Sequence, residues 1–374
     1  MEVLIWIFAI ALFAVGLAVT VGVHEAAHMW VAKACKISVK EFFIGFGPKL
    51  FSRTRGETEY GFRAIPMGGY VQIEDENCDD RYERALLSRV HPAKRIAIFA
   101  AGAIVNIVIG LLIFVIMFMV VPGERVTTGI KSVNTECTST SPCSASESGV
   151  LPGDTILAIN GKEITDGESV RGHVENAETV DLLVQGEDGM RRDVKDIPVV
   201  NGYIGITLSL EDYQRGLGEA VVETGGMVVN GLKGIASIPE KTPGVIRAVL
   251  GMEERDPESP GSIVGAGRAY GEIANSSKID TASKAQMMVV IFAGMNLSIG
   301  MLNLVPLNPL DGGKIFFAVV DWVKMGFARV FRYTYKPTSM RVMRWATAIP
   351  LSALMFVTLV FILADIIAPQ SLGL

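Results

Sequence analysis

Two histidines four residues apart, with a glutamate directly after the first, make up the segment HEAAH at residues 24–28. On a helix, His24 and His28 lie about one turn apart on the same side, so both imidazoles can bind a single metal ion. Glu25, one position further on, is placed to act as general base towards a water molecule at that metal. The spacing predicts a hydrolytic zinc centre, and the alternative is a chance match at the polar end of a helix.

A catalytic zinc site usually has three protein ligands and one open position, so the two histidines need a third partner. Asp311 is the first carboxylate after a long uncharged stretch, and Pro306 and Pro309 break a helix just before it. Irregular backbone at membrane depth is tolerated only inside protein or beside a water-filled cavity. We therefore predict that His24, His28 and Asp311 bind one zinc ion per chain. The alternative for Asp311 is an ordinary turn, since PLDGG is favourable turn chemistry.

The elements that must position these residues are apolar. The chain is 50% hydrophobic, and its net charge of −5 provides no basic surface for nucleic acid. Four uncharged stretches exceed or match the roughly 20 residues that span a bilayer. HEAAH follows the first and Asp311 follows the third, so the lipid bilayer is a predicted partner. The stretches are Val3–Val23, Ile96–Pro122, Ala285–Leu310 and Trp345–Ala364.

Lysine and arginine are concentrated between the first two spans and between the last two. The positive-inside rule therefore places both of these segments in the cytoplasm and both termini outside, with the active site near the cytoplasmic side. The stretch 123–284 is then extracytoplasmic. Cys137 and Cys143 lie in it and are a possible disulfide, with unpaired cysteines as the alternative.

Three segments between the spans have recognisable patterns. Residues 37–73 alternate apolar and polar side chains, which predicts a hairpin or small sheet turning near Thr54–Glu57, partly buried in the bilayer or against the helices. Residues 123–212 combine short strands with one helix candidate, which indicates a compact α+β domain. Residues 217–250 are apolar at helical intervals and predict an interfacial amphipathic helix, with a surface linker as an equal alternative.

HEAAH, the segment NLVPLNPLDGG and the inserted domain together resemble the bacterial site-2 protease family of intramembrane zinc metalloproteases, over nearly the whole chain. The resemblance implies that His24, His28 and Asp311 are the zinc ligands and that Glu25 is the catalytic base. It also implies that the sheet over residues 37–73 is a membrane-reentrant element that presents an extended substrate strand.

The same resemblance implies three substrate-binding residues. Asn303 matches an asparagine that precedes LDG in the family. The segment GAIVN resembles the family's GxxxN, in which Gly102 allows close helix approach and Asn106 bonds substrate or the site, an interhelical hydrogen bond being the alternative. The family often has NxxPxP, but here Asn308 occupies the second proline position and Pro309 follows, so the role of Asn308 stays open.

The external domain looks like a single PDZ domain of the circularly permuted bacterial type, because GVLPGDTILAINGK precedes YIGI. The likeness implies either capture of peptide termini or a size filter for substrates, and it does not choose between them. The carboxylate-binding loop would consist of Tyr203, Ile204, Gly205 and Ile206.

The predicted fold is an α-helical polytopic membrane protein with four transmembrane helices, a membrane-associated β-sheet and an inserted extracytoplasmic α+β PDZ domain. The predicted function is zinc-dependent intramembrane cleavage of single-span proteins, such as anti-sigma factors or remnant signal peptides. A non-catalytic PDZ-containing membrane scaffold or chaperone is the alternative, and a metal transporter is a third option. The predicted segments are 1–34 (first span), 35–95 (β-element and loop), 96–122 (second span), 123–212 (PDZ), 213–284 (amphipathic linker region), 285–313 (third span), 314–344 (cytoplasmic loop) and 345–368 (fourth span).

Overall fold

The structure is a computed structural model that describes residues 2–73, 90–137, 142–334, 338 and 340–370. Its contacts divide the chain into two compact units. The membrane unit comprises residues 1–117 and 220–374, and the insert unit comprises residues 118–219. In chain order the elements are α1 (Glu2–Ala34), β1 (Val39–Arg55), β2 (Thr58–Ile73), α2 (Pro92–Val120), β3 (Gly123–Val133), α3 (Ser144–Glu147), β4 (Thr155–Ile159), β5 (Lys162–Glu163), α4 (Gly167–Val174), β6 (Thr179–Gln185), β7 (Arg191–Pro198), β8 (Ile206–Tyr213), α5 (Leu217–Val249), α6 (Ile263–Asn275), α7 (Thr281–Asn303), α8 (Asp311–Phe331) and α9 (Met340–Ile367).

Four helices in the described part of the chain are long and apolar enough to cross a membrane: α1, α2, α7 and residues 345–367 of α9. They coincide with the four stretches predicted from the sequence. Many of their apolar side chains are exposed in the isolated chain, among them Phe8, Leu112 and Phe356. Side chains of this kind are unfavourable in water and suited to lipid, so the exposed surface of these helices fits a membrane protein.

The predicted hairpin is present as β1 and β2, which turn at Gly56 and Glu57. Both strands bend, so the first half of β1 lies between two segments of β2 and pairs with one of them along each edge. Phe43, for example, lies opposite both Tyr70 and Gly61. The result is a small antiparallel sheet in which the outer segment of β2, residues 69–73, pairs with β1 on one side and with no other described strand.

One face of this sheet packs against the helices that carry HEAAH and GAIVN. Met29 and Ala32 of α1, Val39 of β1 and Ile98 of α2 form a buried apolar cluster, joined by Phe42, Tyr60 and Val71 from the sheet. Gly22 of α1 lies close to the sheet, because a Cβ there would be 2.9 Å from Ile44 Cδ1. The sheet is therefore fixed beside the second half of α1.

Residues 314–331, part of the segment predicted as a cytoplasmic loop, are helical and belong to α8. Charged residues such as Lys314 and Lys324, which favour the cytoplasm for this segment, alternate in α8 with residues of a buried face. Helix α8 is therefore amphipathic, with one buried face. Its buried members are Asp311, Gly312, Gly313, Phe317, Ala318, Asp321 and Ala328.

The segment from 213 to 284 is mostly helical, which favours the amphipathic-helix interpretation of residues 217–250 over a linker. Helix α5 runs for 33 residues and is followed by α6. The loop between them is held by Asp365 of α9, whose carboxylate accepts hydrogen bonds from Arg255 Nη1 at 2.6 Å and from the backbone N–H of Ser262 at 2.6 Å. Arg255 and Asp365 are both buried, so this pair fixes the start of α6 against α9.

The insert unit is an α+β module, as predicted. Its strands lie in the order β7-β6-β4-β3-β8, with β5 paired to β4, and β8 therefore lies at an edge. A single apolar core includes Ile156, Leu182 and Ile197. The sulfur atoms of Cys137 and Cys143 are joined, with their Cα atoms 5.3 Å apart.

Candidate metal centre

The two histidines of HEAAH lie in the second half of α1, and both are buried, with 7% of each residue exposed. Their Nε2 atoms are 3.1 Å apart, and the rings are nearly perpendicular at 81°. Two ring nitrogens so close require either a shared proton or a cation between them, because two lone pairs facing each other repel.

Asp311, the first residue of α8, brings a carboxylate to the same point. Its Oδ2 is 3.0 Å from His24 Nε2 and 3.1 Å from His28 Nε2. Zinc bonds of about 2.0–2.1 Å at tetrahedral angles separate neighbouring ligand atoms by about 3.3 Å. Among the described residues, this is the one cluster of three His, Cys or acidic side chains able to hold a metal. Two imidazoles and a carboxylate at this spacing fit a zinc ion with one position left open.

The turn before α8 places Asp311, and it depends on two glycines. A Cβ on Gly312 would collide with the carbonyl oxygen of Val305, and a Cβ on Gly313 would collide with the side chain of Asn308. The chain from the end of α7 thus folds back tightly on the first turn of α8. Because no side chain fits at either position, the sequence DGG is required for this approach.

Helix α2 forms the other wall of the site. The backbone carbonyl of Ile98 accepts a hydrogen bond from His28 Nδ1 at 2.7 Å. One turn further along, a Cβ on Gly102 would be 2.5 Å from His28 Nε2 and 2.6 Å from His24 Nε2. Gly102 therefore provides the room in which the two ligand nitrogens and a metal can sit.

Comparison with known proteins identifies the family. Residues 12–344 match the description Peptidase family M50. The chain belongs to this family. Since its metal-binding side chains also fit zinc, the protein is a zinc metalloprotease.

Relatives within the M50 family support the assignment across most of the chain. Zinc metalloprotease Rip1 of Mycobacterium tuberculosis (strain H37Rv) is 28% identical over 368 residues, covering 86% of this chain and 87% of that protein. Rip1 of Mycolicibacterium smegmatis is 30% identical over 358 residues, covering 84% and 86%. Regulator of sigma-E protease RseP of Escherichia coli (strain K12) is 32% identical over 200 residues, covering 51% and 42%.

Glu25, the predicted base of this M50 protease, is half-buried on α1 and faces the sheet. A Cβ on Gly69 of β2 would be 3.0 Å from Glu25 Cγ. Gly69 belongs to the outer segment of β2, which pairs with β1 on one side and with no other described strand. The carboxylate that follows the first histidine thus lies next to an edge strand, in a place that admits no side chain from that strand.

The three predicted substrate-binding asparagines lie at different places. Asn106 is fully buried, and its Nδ2 is 3.3 Å from His24 Nδ1, so it contacts a histidine of the metal centre directly. Asn308 is buried in the turn before Asp311 and adjoins Gly313. Asn303 is the last residue of α7 and is half-buried. Their roles towards substrate remain predictions.

Two ionic contacts near the site were missed by sequence reasoning. Arg95 of α2 and Asp321 of α8 are both fully buried, and Arg95 Nη2 is 3.2 Å from Asp321 Oδ2. Lys314 Nζ is 3.5 Å from Asp311 Oδ1, the oxygen that does not face the histidines. The sequence did offer one indication for Arg95. It precedes Gly102 by seven residues, and residues seven apart share a helix face. The buried pair ties α2 to α8, the helix that begins with Asp311.

The insert unit contains a second candidate site. A cavity of about 600 Å³ lies between α4 and the edge strand β8, with Val170 and Val174 on the helix side and Leu208 on the strand side. Tyr203, Ile204, Gly205 and Ile206, the predicted carboxylate-binding loop, all line it. Gly205 has φ +80, and a Cβ there would collide with the carbonyl oxygen of Pro142. The carbonyl oxygen of Gly205 accepts a hydrogen bond from Asn134 N–H at 2.8 Å, which holds the loop against the end of β3.

Proposed function

We propose that this M50 protease cleaves the transmembrane segments of single-span membrane proteins. One observation carries the proposal. His24 and His28 lie on α1, a helix apolar enough to span a bilayer, and Asp311 lies close enough to complete a metal site with them. Anti-sigma factors and remnant signal peptides are the substrate types we expect. The name regulator of sigma-E protease, borne by the E. coli relative, is in keeping with the first of these.

The roles of the chain's own residues follow from their chemistry. Zinc, when bound, supplies a Lewis acid that polarises a peptide carbonyl and lowers the pKa of water. Glu25 accepts a proton as the water oxygen bonds to the carbonyl carbon, and it delivers that proton to the amide nitrogen as the C–N bond breaks. Lys314 keeps the second oxygen of Asp311 engaged, which leaves Oδ2 directed at the histidines.

The edge of the sheet offers a way to present substrate. A transmembrane helix must unwind before its backbone can be cut, and the freed N–H and C=O groups then need partners. Among the described residues, 69–73 of β2 pair with β1 alone, and Gly69 lies beside Glu25. An extended substrate strand added to this edge would regain backbone hydrogen bonds next to the catalytic base. Because such a substrate strand comes from a transmembrane segment, this role requires the sheet to enter the membrane from one side.

The proposed topology rests on charge. Lysine and arginine between the first two spans and between the last two favour the cytoplasm for those segments. Both termini and the insert unit are then extracytoplasmic, and the metal centre lies near the cytoplasmic side. An oxidising compartment around the insert unit is in keeping with the joined Cys137 and Cys143.

We further propose that the insert unit acts as a PDZ domain. An edge strand, a facing helix and an apolar groove between them suit an extended peptide that adds to β8. Of the two roles considered, capture of a peptide terminus is favoured by this groove, since a size filter needs no binding surface. A scaffold or chaperone without activity is not favoured, because a complete set of three zinc-binding side chains is present.

Cleavage of a purified single-span test protein is the decisive experiment. We expect the protease in nanodiscs to cut this substrate within its apolar segment, as mapped by mass spectrometry of the fragments. Chelation should stop the reaction, and one equivalent of zinc should restore it. Asp311→Ala should hold far less zinc and leave the substrate intact.

Two results would contradict the proposal. A zinc-loaded protease that cuts only unfolded peptides in solution would exclude cleavage within the membrane. Binding of the substrate without any cutting, undiminished by loss of zinc, would instead support the scaffold.

Substitution of the groove tests the role of the insert unit. Leu208→Asp puts a charge on the groove wall, so we expect a higher KM for substrates with a free external terminus and an unchanged kcat. Leu210→Asp is the matched control, since Leu210 is two residues away on β8, is 53% exposed and does not line the groove. An unchanged KM in Leu208→Asp, with correct folding, would favour the size filter.

A further inference from the structure

The two histidine ligands are supported differently by α2. For His28, Nδ1 donates to the carbonyl oxygen of Ile98 at 2.7 Å, a contact that fixes both the ring orientation and the tautomer. For His24, the neighbour of Nδ1 is the side-chain amide of Asn106 at 3.3 Å. Each histidine thus has one polar group of α2 behind it, on the side away from the ligand atoms.

The protonation of His24 determines whether it needs a hydrogen-bond donor or an acceptor from the Asn106 amide. A neutral imidazole that binds a metal through Nε2 carries its proton on Nδ1, so Nδ1 is a donor and requires an acceptor. The amide atom nearest to it is Nδ2, which is also a donor. Meanwhile Oδ1 of Asn106 is buried and has no hydrogen-bond partner among the described residues. A donor facing a donor and an acceptor facing nothing both cost free energy in a buried site.

A half-turn of the amide about its Cβ–Cγ bond removes the donor–donor conflict at His24, and it moves Nδ2 to the position where Oδ1 has no described partner. It exchanges the positions of Oδ1 and Nδ2, which occupy similar volumes, and leaves every other atom in place. Oδ1 then accepts the hydrogen bond from His24 Nδ1, as the Ile98 carbonyl does from His28 Nδ1. The unpartnered oxygen is what the metal-loaded form of the site would use.

We propose that Asn106 is a positioning residue for the metal centre, with its amide oxygen orienting His24 through Nδ1. Ile98, Gly102 and Asn106 are spaced four residues apart, so they share one face of α2. That face supplies an acceptor for His28, space for the metal, and an acceptor for His24, in that order. Of the two contacts that its motif suggests, substrate or site, Asn106 therefore makes the one to the site, through His24.

This inference rests on the zinc site and not on cleavage within the membrane, so its test is zinc binding. We expect Asn106→Leu, which keeps the side-chain shape and removes the acceptor, to weaken zinc affinity by about 10–100-fold, the usual effect of losing a ligand's supporting hydrogen bond. Affinity is measured by competition with a chromophoric chelator on the purified full chain. The absorption spectrum of the Co²⁺-loaded variant should also change, because His24 is no longer held in one orientation.

Asn106→Asp determines which way the hydrogen bond runs. A carboxylate only accepts, so this variant should bind zinc at least as tightly as the wild type if Nδ1 is the donor. Asn296→Leu is the matched control, because Asn296 is equally buried but its amide donates to the Phe292 carbonyl of its own helix. It should leave zinc affinity unchanged.

The outcomes separate the possible roles. If Asn106→Leu binds zinc normally but has a raised KM, Asn106 contacts substrate and the proposal is overturned. If Asn106→Asp loses affinity as Asn106→Leu does, the amide serves as a donor and the proposal is again overturned. Should Asn106→Leu fail to fold, the aspartate variant alone still decides the direction of the bond.

Discussion

Replacing Glu25 with glutamine is expected to abolish proteolysis while one zinc ion per chain remains bound. The amide keeps the size of the side chain but cannot accept a proton from water. Loss of a general base lowers kcat by about 10²–10⁴-fold. His24, His28 and Asp311 are untouched, so the metal should stay. Metal content and the rate of fragment formation are to be measured on the same preparation.

A second glutamate provides the control for this substitution. Glu59 lies on β2, is away from the three ligands and pairs with Lys49 at 2.8 Å. Glu59→Gln should cut the test substrate at close to the wild-type rate. Chelator-sensitive cleavage at full rate by Glu25→Gln would remove Glu25 from the role of base.

The second large effect is expected from adding a single methyl group at Gly102. In Gly102→Ala the new Cβ would be 2.5 Å from His28 Nε2 and 2.6 Å from His24 Nε2, closer than van der Waals contact allows. The rings must turn away, and their lone pairs can no longer converge. We expect zinc affinity to fall by more than the roughly 10–100-fold that losing a supporting hydrogen bond costs. Chelator competition measures this affinity.

Gly110→Ala is the matched control on the same helix. Its Cβ would be 2.9 Å from the Ala293 carbonyl oxygen of α7, so it also creates a steric conflict, but away from the histidines. The variant should unfold at a lower temperature and still bind one zinc ion per folded chain. Wild-type zinc affinity in Gly102→Ala would show that the metal does not sit against this face of α2.

Much of the metal centre could be predicted because its residues stand out in short stretches of the sequence. The spacing of His24 and His28 defines a shared helix face, and the uncharged stretch before Asp311 marks that carboxylate as unusual. The four spans also follow from local composition, since a bilayer imposes one length on every crossing helix. The small sheet was predicted through its alternation and the turn at Gly56.

What escaped prediction depends on contacts between distant segments. Residues 314–331 were predicted only as part of a cytoplasmic segment, from the lysines and arginines there, and the buried face of α8 forms only in the folded chain. The buried pair of Arg95 and Asp321 links residues 226 positions apart, and no local pattern marks either as a partner of the other. The hydrogen bond between His28 and the Ile98 carbonyl involves a backbone atom, which carries no signature in the sequence.

The distance along the chain between the metal-binding residues has a consequence for folding. His24 and Asp311 are 287 positions apart, so a zinc ion between them joins the first span to the segment that follows the third. An unfolded chain has no such site, and binding therefore favours the folded state by mass action. The ion that serves hydrolysis also acts as a crosslink, closing a loop that includes the whole insert unit.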